Sequence, residues 1–255
     1  MAAFPAVAQS EWTKIRSVRS TVWTLAAAFL VTLVIGVLLS LVTKNNFADV
    51  TEGSSTPFDA TGTAFSGIML GELAIVVFGV LAIGNEYSSG MIRVSLAAVP
   101  QRGTLLAAKA AVIGGLALAV SLVTAFVTFF AGQAMLGEHH TTLGSPGVLR
   151  AVFSAALYLT LLCLFSAGVT VLLRNQTLAL GILVPFFFLL SPILSVVPKA
   201  KNVAHYFPDW AGSRSLQVYQ PADQPYGPWV GLLICALWTA AALLFGYLVL
   251  QKRDA

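Results

Sequence analysis

The sequence predicts an all-α integral membrane protein: one domain over residues 1–255, built from six transmembrane helices. Three observations carry that expectation. The chain is 58% apolar and 9% charged, whereas soluble domains carry roughly 25% charged residues. Six stretches reach the length of about 20 mostly apolar residues that a helix needs to cross the hydrocarbon core. None of them alternates apolar and polar residues in the short segments of a membrane β-barrel.

Ahead of the first span, Trp12, Ile15, Val18 and Val22 recur at helical spacing with Lys14, Arg16 and Arg19 among them. That pattern outlines an interfacial helix over 9–21 on the inner leaflet. It is equally the positive flank that orients a span. Arg19 falls within the apolar arc, so its guanidinium has to snorkel toward headgroups. More than twenty residues precede the first span, expected over 22–42, and no small-x-small cleavage site clearly follows it, so this span is expected to stay as an anchor. The loop over 43–63, with Phe47 and Phe58 as its aromatics, is expected to be flexible.

The second span, 64–83, carries Glu72 about 12 Å deep at 1.5 Å per residue. A charge there costs about 2.5–3.5 kcal/mol on insertion scales, so Glu72 is expected to face the bundle interior or a wet cavity. As a functional group it contacts a cationic substrate or shuttles a proton; as a structural one it is protonated and bonded to a hydroxyl or to Gln133. Gly67 and Gly71 form a small-xxx-small pair too common in membranes to specify a dimer contact.

The polar insert 84–103 is longer than a simple reversal requires. Ser88 or Ser89 can cap a helix, Ile92, Leu96 and Val99 share one face, and Pro100 with Gly103 stops it. The expected product is an amphipathic helix of about two to three turns, its apolar ridge suited to a partner's groove and Arg93 and Arg102 facing water, phosphates or acidic groups.

In the third span, 105–135, Gly114, Ala117, Ser121, Thr124, Thr128 and Gly132 form one narrow face, a surface for close helix packing with pore lining as the other reading. The Glu138-His139-His140 run supplies poor geometry for a metal. The fourth span covers 148–173. The fifth, 177–197, is punctuated by Pro185, Pro192 and Pro198, each of which permits a kink or break. The connection 198–228 holds Tyr206, Phe207, Trp210, Tyr219 and Tyr226, too many aromatics for disorder. It is expected to fold back as short helices at the outer interface. The last span covers 229–250. Cys163 and Cys235 fall within spans, where small apolar packing is their expected use. Asn175-Gln176-Thr177 matches a glycosylation acceptor on the wrong side to be used.

Six crossings place both termini on one side. Lys14, Arg16, Arg19, Arg93, Arg102, Lys109, Arg174, Lys252 and Arg253 mark that side as cytoplasmic. Lys44, Arg150, Lys199, Lys201 and Arg214 lie opposite, diluted by Asp49, Glu52, Asp59, Glu138, Asp209 and Asp223. The net charge of +4 thus follows topology and calls for no nucleic acid.

The run from Gly84 to Gly103, with Lys109 after it, resembles the segment between the second and third spans of type-2 ABC exporter permeases, especially the six-span subunits of bacterial drug-efflux and bacteriocin-immunity systems. Glu86, Tyr87, Gly90, Ile92, Arg93, Leu96, Pro100, Arg102 and Lys109 occupy matching positions, and Met91 stands where that family often has Thr. The likeness is specific over about thirty residues and topological beyond them.

The resemblance implies a permease in the bacterial inner membrane that pairs with a second copy or a paralogue. It also implies cytoplasmic ATP-binding subunits, which engage a coupling helix around Ser89. Glu86 and Tyr87 would then form the hinge between span and coupling helix. Consistent with that division of labour, the sequence has no Gly-x-x-x-x-Gly-Lys-Ser/Thr loop, so ATP and magnesium are expected on the partner and no ATPase activity in this chain. An ion-coupled carrier would instead show an inverted repeat with paired broken helices, and none is evident. A non-transporting membrane scaffold is the third reading. The translocation path is expected to involve Glu72, Ser121, Thr124, Thr128 and Gln133.

Overall fold

The computed structural model describes residues 4–52, 57–197, 199–219 and 224–252; among them all regular structure is helical. Six helices are long and apolar enough to cross a membrane, over Arg19–Asn45, Ala60–Ser88, Arg102–His139, Val148–Leu173, Gln176–Leu194 and Pro228–Lys252. Each contains most of a stretch expected from hydropathy. The ends run further because the flanking polar residues continue the helical hydrogen-bond ladder, which saves backbone groups from exposure to lipid.

The chain opens with α1, Phe4–Ser17. Val18 takes an extended conformation and separates it from α2, Arg19–Asn45. The stripe that α1 buries is Val7, Glu11 and Ile15, one helical turn apart. Trp12, Val18 and Val22 are exposed. Of the expected stripe of Trp12, Ile15, Val18 and Val22, only Ile15 is buried against the protein, in line with Val7 and Glu11, and the other three stay on the surface.

The loop expected to be flexible holds two short helices, α3, Phe47–Thr51, and α4, Ala60–Ala64, capped by the Asp59 side chain accepting from Gly62 N–H. Phe47 meets Phe58 edge-on, and its other face stacks on His139. Residues 53–56 lie outside the described part. A 3-10 turn, Phe65–Gly67, leads into α5, Ile68–Ser88.

The insert forms α6, Met91–Ala98. It is followed by α7, Arg102–Leu136, and α8, Val148–Leu173. The fifth crossing is composite: α9, Gln176–Pro185, gives way to a π-helical turn, Phe186–Leu190, and then to α10, Ser191–Val196. The missing amides of Pro185 and Pro192 bracket that change of winding, as a broken hydrogen-bond ladder requires. The connection that follows contains α11, Lys201–Ala204, and α12, Pro208–Arg214, before α13, Pro228–Lys252.

Helices α5 and α8 form the centre. About 61% of the apolar window of the second span and 67% of that of the fourth are buried, against 22–33% for the others. Tyr158, Phe78, Phe129, Ile75 and Leu162 fill the interior. Thr32, Thr124 and Thr170 bond to carbonyls of their own helix, those of Ala28, Val120 and Ser166, and so need no water, whereas the buried hydroxyls of Ser40, Ser121, Thr128 and Ser154 have no partner. Gly67 and Gly71 abut Thr32 of α2. Their small-xxx-small pair is thus spent on an intrachain contact.

One face of the bundle carries α1, α6 and the ends of α5 and α8, and the other the capping segment. Arg150 donates to the carbonyls of Ser215 (2.6 Å) and Gln217 (2.8 Å). Asp59 accepts from Val218 N–H at 2.7 Å, and Trp238 donates to the Tyr206 carbonyl at 2.8 Å. These bonds hold the segment after α10 as an ordered cap.

Candidate functional site

On the face that carries α1, Lys109 of α7 is 4% exposed and sits between two buried carboxylates, Glu11 of α1 and Glu86 of α5. Its ammonium donates to Glu11 Oε2 at 2.6 Å and to Glu86 Oε1 at 2.5 Å. Lys14 closes the cluster, donating to Glu11 Oε1 at 2.7 Å, Glu86 Oε1 at 3.2 Å and Ser95 Oγ of α6 at 2.9 Å. Two cations and two carboxylates make the group neutral, so the cost of taking each ion out of water is offset locally. Four helices, α1, α5, α6 and α7, meet in one charge cluster.

For Lys14, burial acts against the charge. The hydrogen bond with Glu11 and the charges of Glu86 and Glu11 outweigh it and hold the ammonium above its ordinary pKa. Glu86 Oε2 has no hydrogen-bond partner, so Glu86 contributes through one oxygen that both lysines share.

Gly90 positions α6. Its φ of +72° lies in the left-handed region that side chains avoid, and it starts α6 directly after α5. The expected serine cap is corrected accordingly: the hydroxyls of Ser88 and Ser89 bond back to the Asn85 carbonyl and close α5 instead, and no side chain caps α6.

The ridge expected to enter a partner's groove also turns inward. Ile92 is buried, while Leu96 and Val99 pack against the Val7, Leu105 and Ala108 cluster. What α6 presents outward is Met91, 45% exposed, Val94, 67% exposed, and Arg93. Tyr87 packs against the main core from the last turn of α5. Pro100 is exposed after α6. Arg102 does not face outward as expected: it donates to the carbonyls of Leu250 and Gln251, which clasps the end of α13 to the start of α7.

At the other face lies a cavity of about 740 Å³ bounded by α5, α8, the fifth crossing and α12. Glu72 lines it, and Tyr158 donates to Glu72 Oε2 at 2.5 Å. A hydroxyl is thus the partner of Glu72, and Gln133 serves elsewhere: it donates to the Ala60 carbonyl and accepts from Thr141 N–H. Ser121, Thr124 and Thr128 are buried within the bundle and do not line the cavity. Asp209 of α12, 8% exposed, does. Burial raises its pKa, and the nearby Ser191 hydroxyl pulls it back, although no hydrogen bond of ordinary geometry joins the two. Oδ1 of Asp209 is left without a partner, a state that costs about 1–3 kcal/mol for a buried polar atom.

Glu11, Ser95, Tyr158 and Asp209 were not singled out from sequence. Glu11 had a signal: it falls in helical phase between Val7 and Ile15, a lone acid in an apolar stripe. Among the described residues no cluster of His, Cys, Asp and Glu could hold a metal ion. His140 bonds to the Gly137 carbonyl.

No curated protein gives a match to this chain. A family model described as ABC-2 family transporter protein matches residues 7–202, from the α1 stripe through the charge cluster, the cavity-lining spans and into the cap. With six membrane-capable helices and a match over most of its length, the chain belongs to the ABC-2 transporter family as a multi-pass membrane permease.

Proposed function

We propose that the chain is the membrane subunit of an ATP-driven exporter in the bacterial inner membrane. Its termini face the cytoplasm, and α6 is the lever through which separate ATP-binding subunits move the spans. ATP and magnesium are held by those subunits, and a second permease copy or a paralogue completes the pathway. The observation that carries this reading is the charge cluster. A force on α6 reaches Lys14 through Ser95 and passes to Glu11, Glu86 and Lys109, so α1, α5 and α7 move together. A helix that merely rested on lipid would need no such buried linkage.

Met91 and Val94 provide the apolar contact that a partner's groove would cover, and Arg93 the charged one. Glu86 fits a hinge role because it ends α5 and is pinned by both lysines.

The test is copurification of the tagged chain from its native membrane in mild detergent. A protein with a phosphate-binding loop is expected in the eluate. Val94→Glu is expected to deplete it severalfold while leaving thermal stability within about 0.5 kcal/mol, since surface changes are usually of that size. Undiminished partner with Val94→Glu would remove α6 as the docking element. No phosphate-loop protein at all would favour an ion-coupled carrier or a scaffold.

A further inference from the structure

The cavity beneath the cap has a chemistry that nothing so far uses. Among the described residues its wall includes three acids, Asp59, Glu72 and Asp209, and no Lys, Arg or His, the guanidinium of Arg214 stacking on the Trp210 ring. Two of the acids are engaged: Asp59 accepts backbone N–H groups of Gly62 and Val218, and Glu72 accepts from Tyr158. Asp209 Oδ1 and Ser191 Oγ, by contrast, are buried at the wall without partners. A carboxylate oxygen accepts hydrogen bonds and donates none, so the complement of Asp209 is a group bearing N–H or O–H. The surplus of acid makes it a cation. Phe65, Met69, Phe187 and Trp210 supply apolar wall, and the cavity is at the scale of a drug-sized molecule, since such ligands occupy sites of about 300–1,000 Å³.

We propose that this cavity binds the protonated amine of an amphiphilic cargo, with Asp209 and Ser191 receiving its N–H groups and the aromatic wall holding the apolar body. That the ligand is cargo rests on the permease reading; that it binds does not, because every residue named for it belongs to this chain.

The experiment is calorimetric titration of the purified chain in nanodiscs of zwitterionic lipid with three probes of one shape: 4-phenylbutylamine, 4-phenylbutanol and 4-phenylbutyrate. Saturable binding of the amine at one site per chain is expected, at least tenfold tighter than that of the alcohol or the carboxylate, and weakened at least tenfold by Asp209→Asn. Met69→Trp narrows the cavity without touching Asp209, so it is expected to weaken the amine as well and keeps the idea testable if Asp209→Asn folds poorly. Equal affinity for amine and alcohol, amine binding that survives both variants, or no amine binding would overturn the proposal. Copurification of an ATP-binding subunit would be unaffected by any of these, so the two readings fail separately.

Discussion

At the scale of single residues, the decisive position is Lys109. Replacing two buried ion pairs together with apolar side chains is often close to neutral, whereas removing one partner leaves a buried charge uncompensated and costs about 3–5 kcal/mol. Lys109→Met leaves two buried carboxylates sharing one cation, with Lys14 at 2.7 Å from Glu11 and 3.2 Å from Glu86. We expect it to lower stability by about 3 kcal/mol, read from thermal unfolding in detergent. Lys109→Gln combined with Glu11→Gln should cost less than the sum of the two single changes by about 0.5–3 kcal/mol, because residues sharing one ionic contact are coupled. Strict additivity would mean that α1 is not tied to α7 through this pair. Glu11 also shows where the sequence is hard to read. The residue was visible as an acid in phase with Val7 and Ile15, but an acid on a helix is most often solvated, and its partner lies 98 positions away.

At the scale of elements, helices were legible wherever apolar runs outlast the bilayer, and less so where a side chain has two uses. Ser88 and Ser89 are good caps by composition, yet they close α5, because Gly90 turns the chain before a cap can form. The face of α6 was legible as amphipathic. Which side faces inward was not, since the choice depends on α1 arriving to cover Leu96 and Val99. The cap shows the same dependence. Aromatic content foretold the short helices within residues 199–219, but not the seating of α12 on α8, where Gly212 lies directly against the Tyr158 ring and any Cβ would collide with it. Gly212→Val should therefore push α12 off α8, move Asp209, and destabilise by about 1–3 kcal/mol, the usual cost of overpacking. Thermal unfolding gives the magnitude, and an unchanged melting temperature would mean that the ring yields without cost.

At the scale of the whole molecule, charge is sorted between the two faces. Lys14 and Lys109 are neutralised in the cluster and so contribute little to orientation. That task falls to Arg16, Arg19, Arg93, Arg102, Arg174 and Lys252, since the bias is set by Lys and Arg near the span ends. Among the acids of the opposite half, Glu72 and Asp209 line the cavity and Asp59 bonds the backbone of the cap, while Asp49, Glu52 and Glu138 stay exposed. This distribution predicts that α6 faces the cytoplasm and the loop between α7 and α8 the exterior. Both native cysteines are buried, so a membrane-impermeant maleimide should leave the parent chain unlabelled and report only on introduced sites. In intact cells Thr142→Cys should react and Val94→Cys should not; after permeabilisation both should. The reverse pattern would place α6 outside the cell, where no ATP-binding subunit can reach it, and the lever, the partner and the direction of transport would all have to be abandoned together.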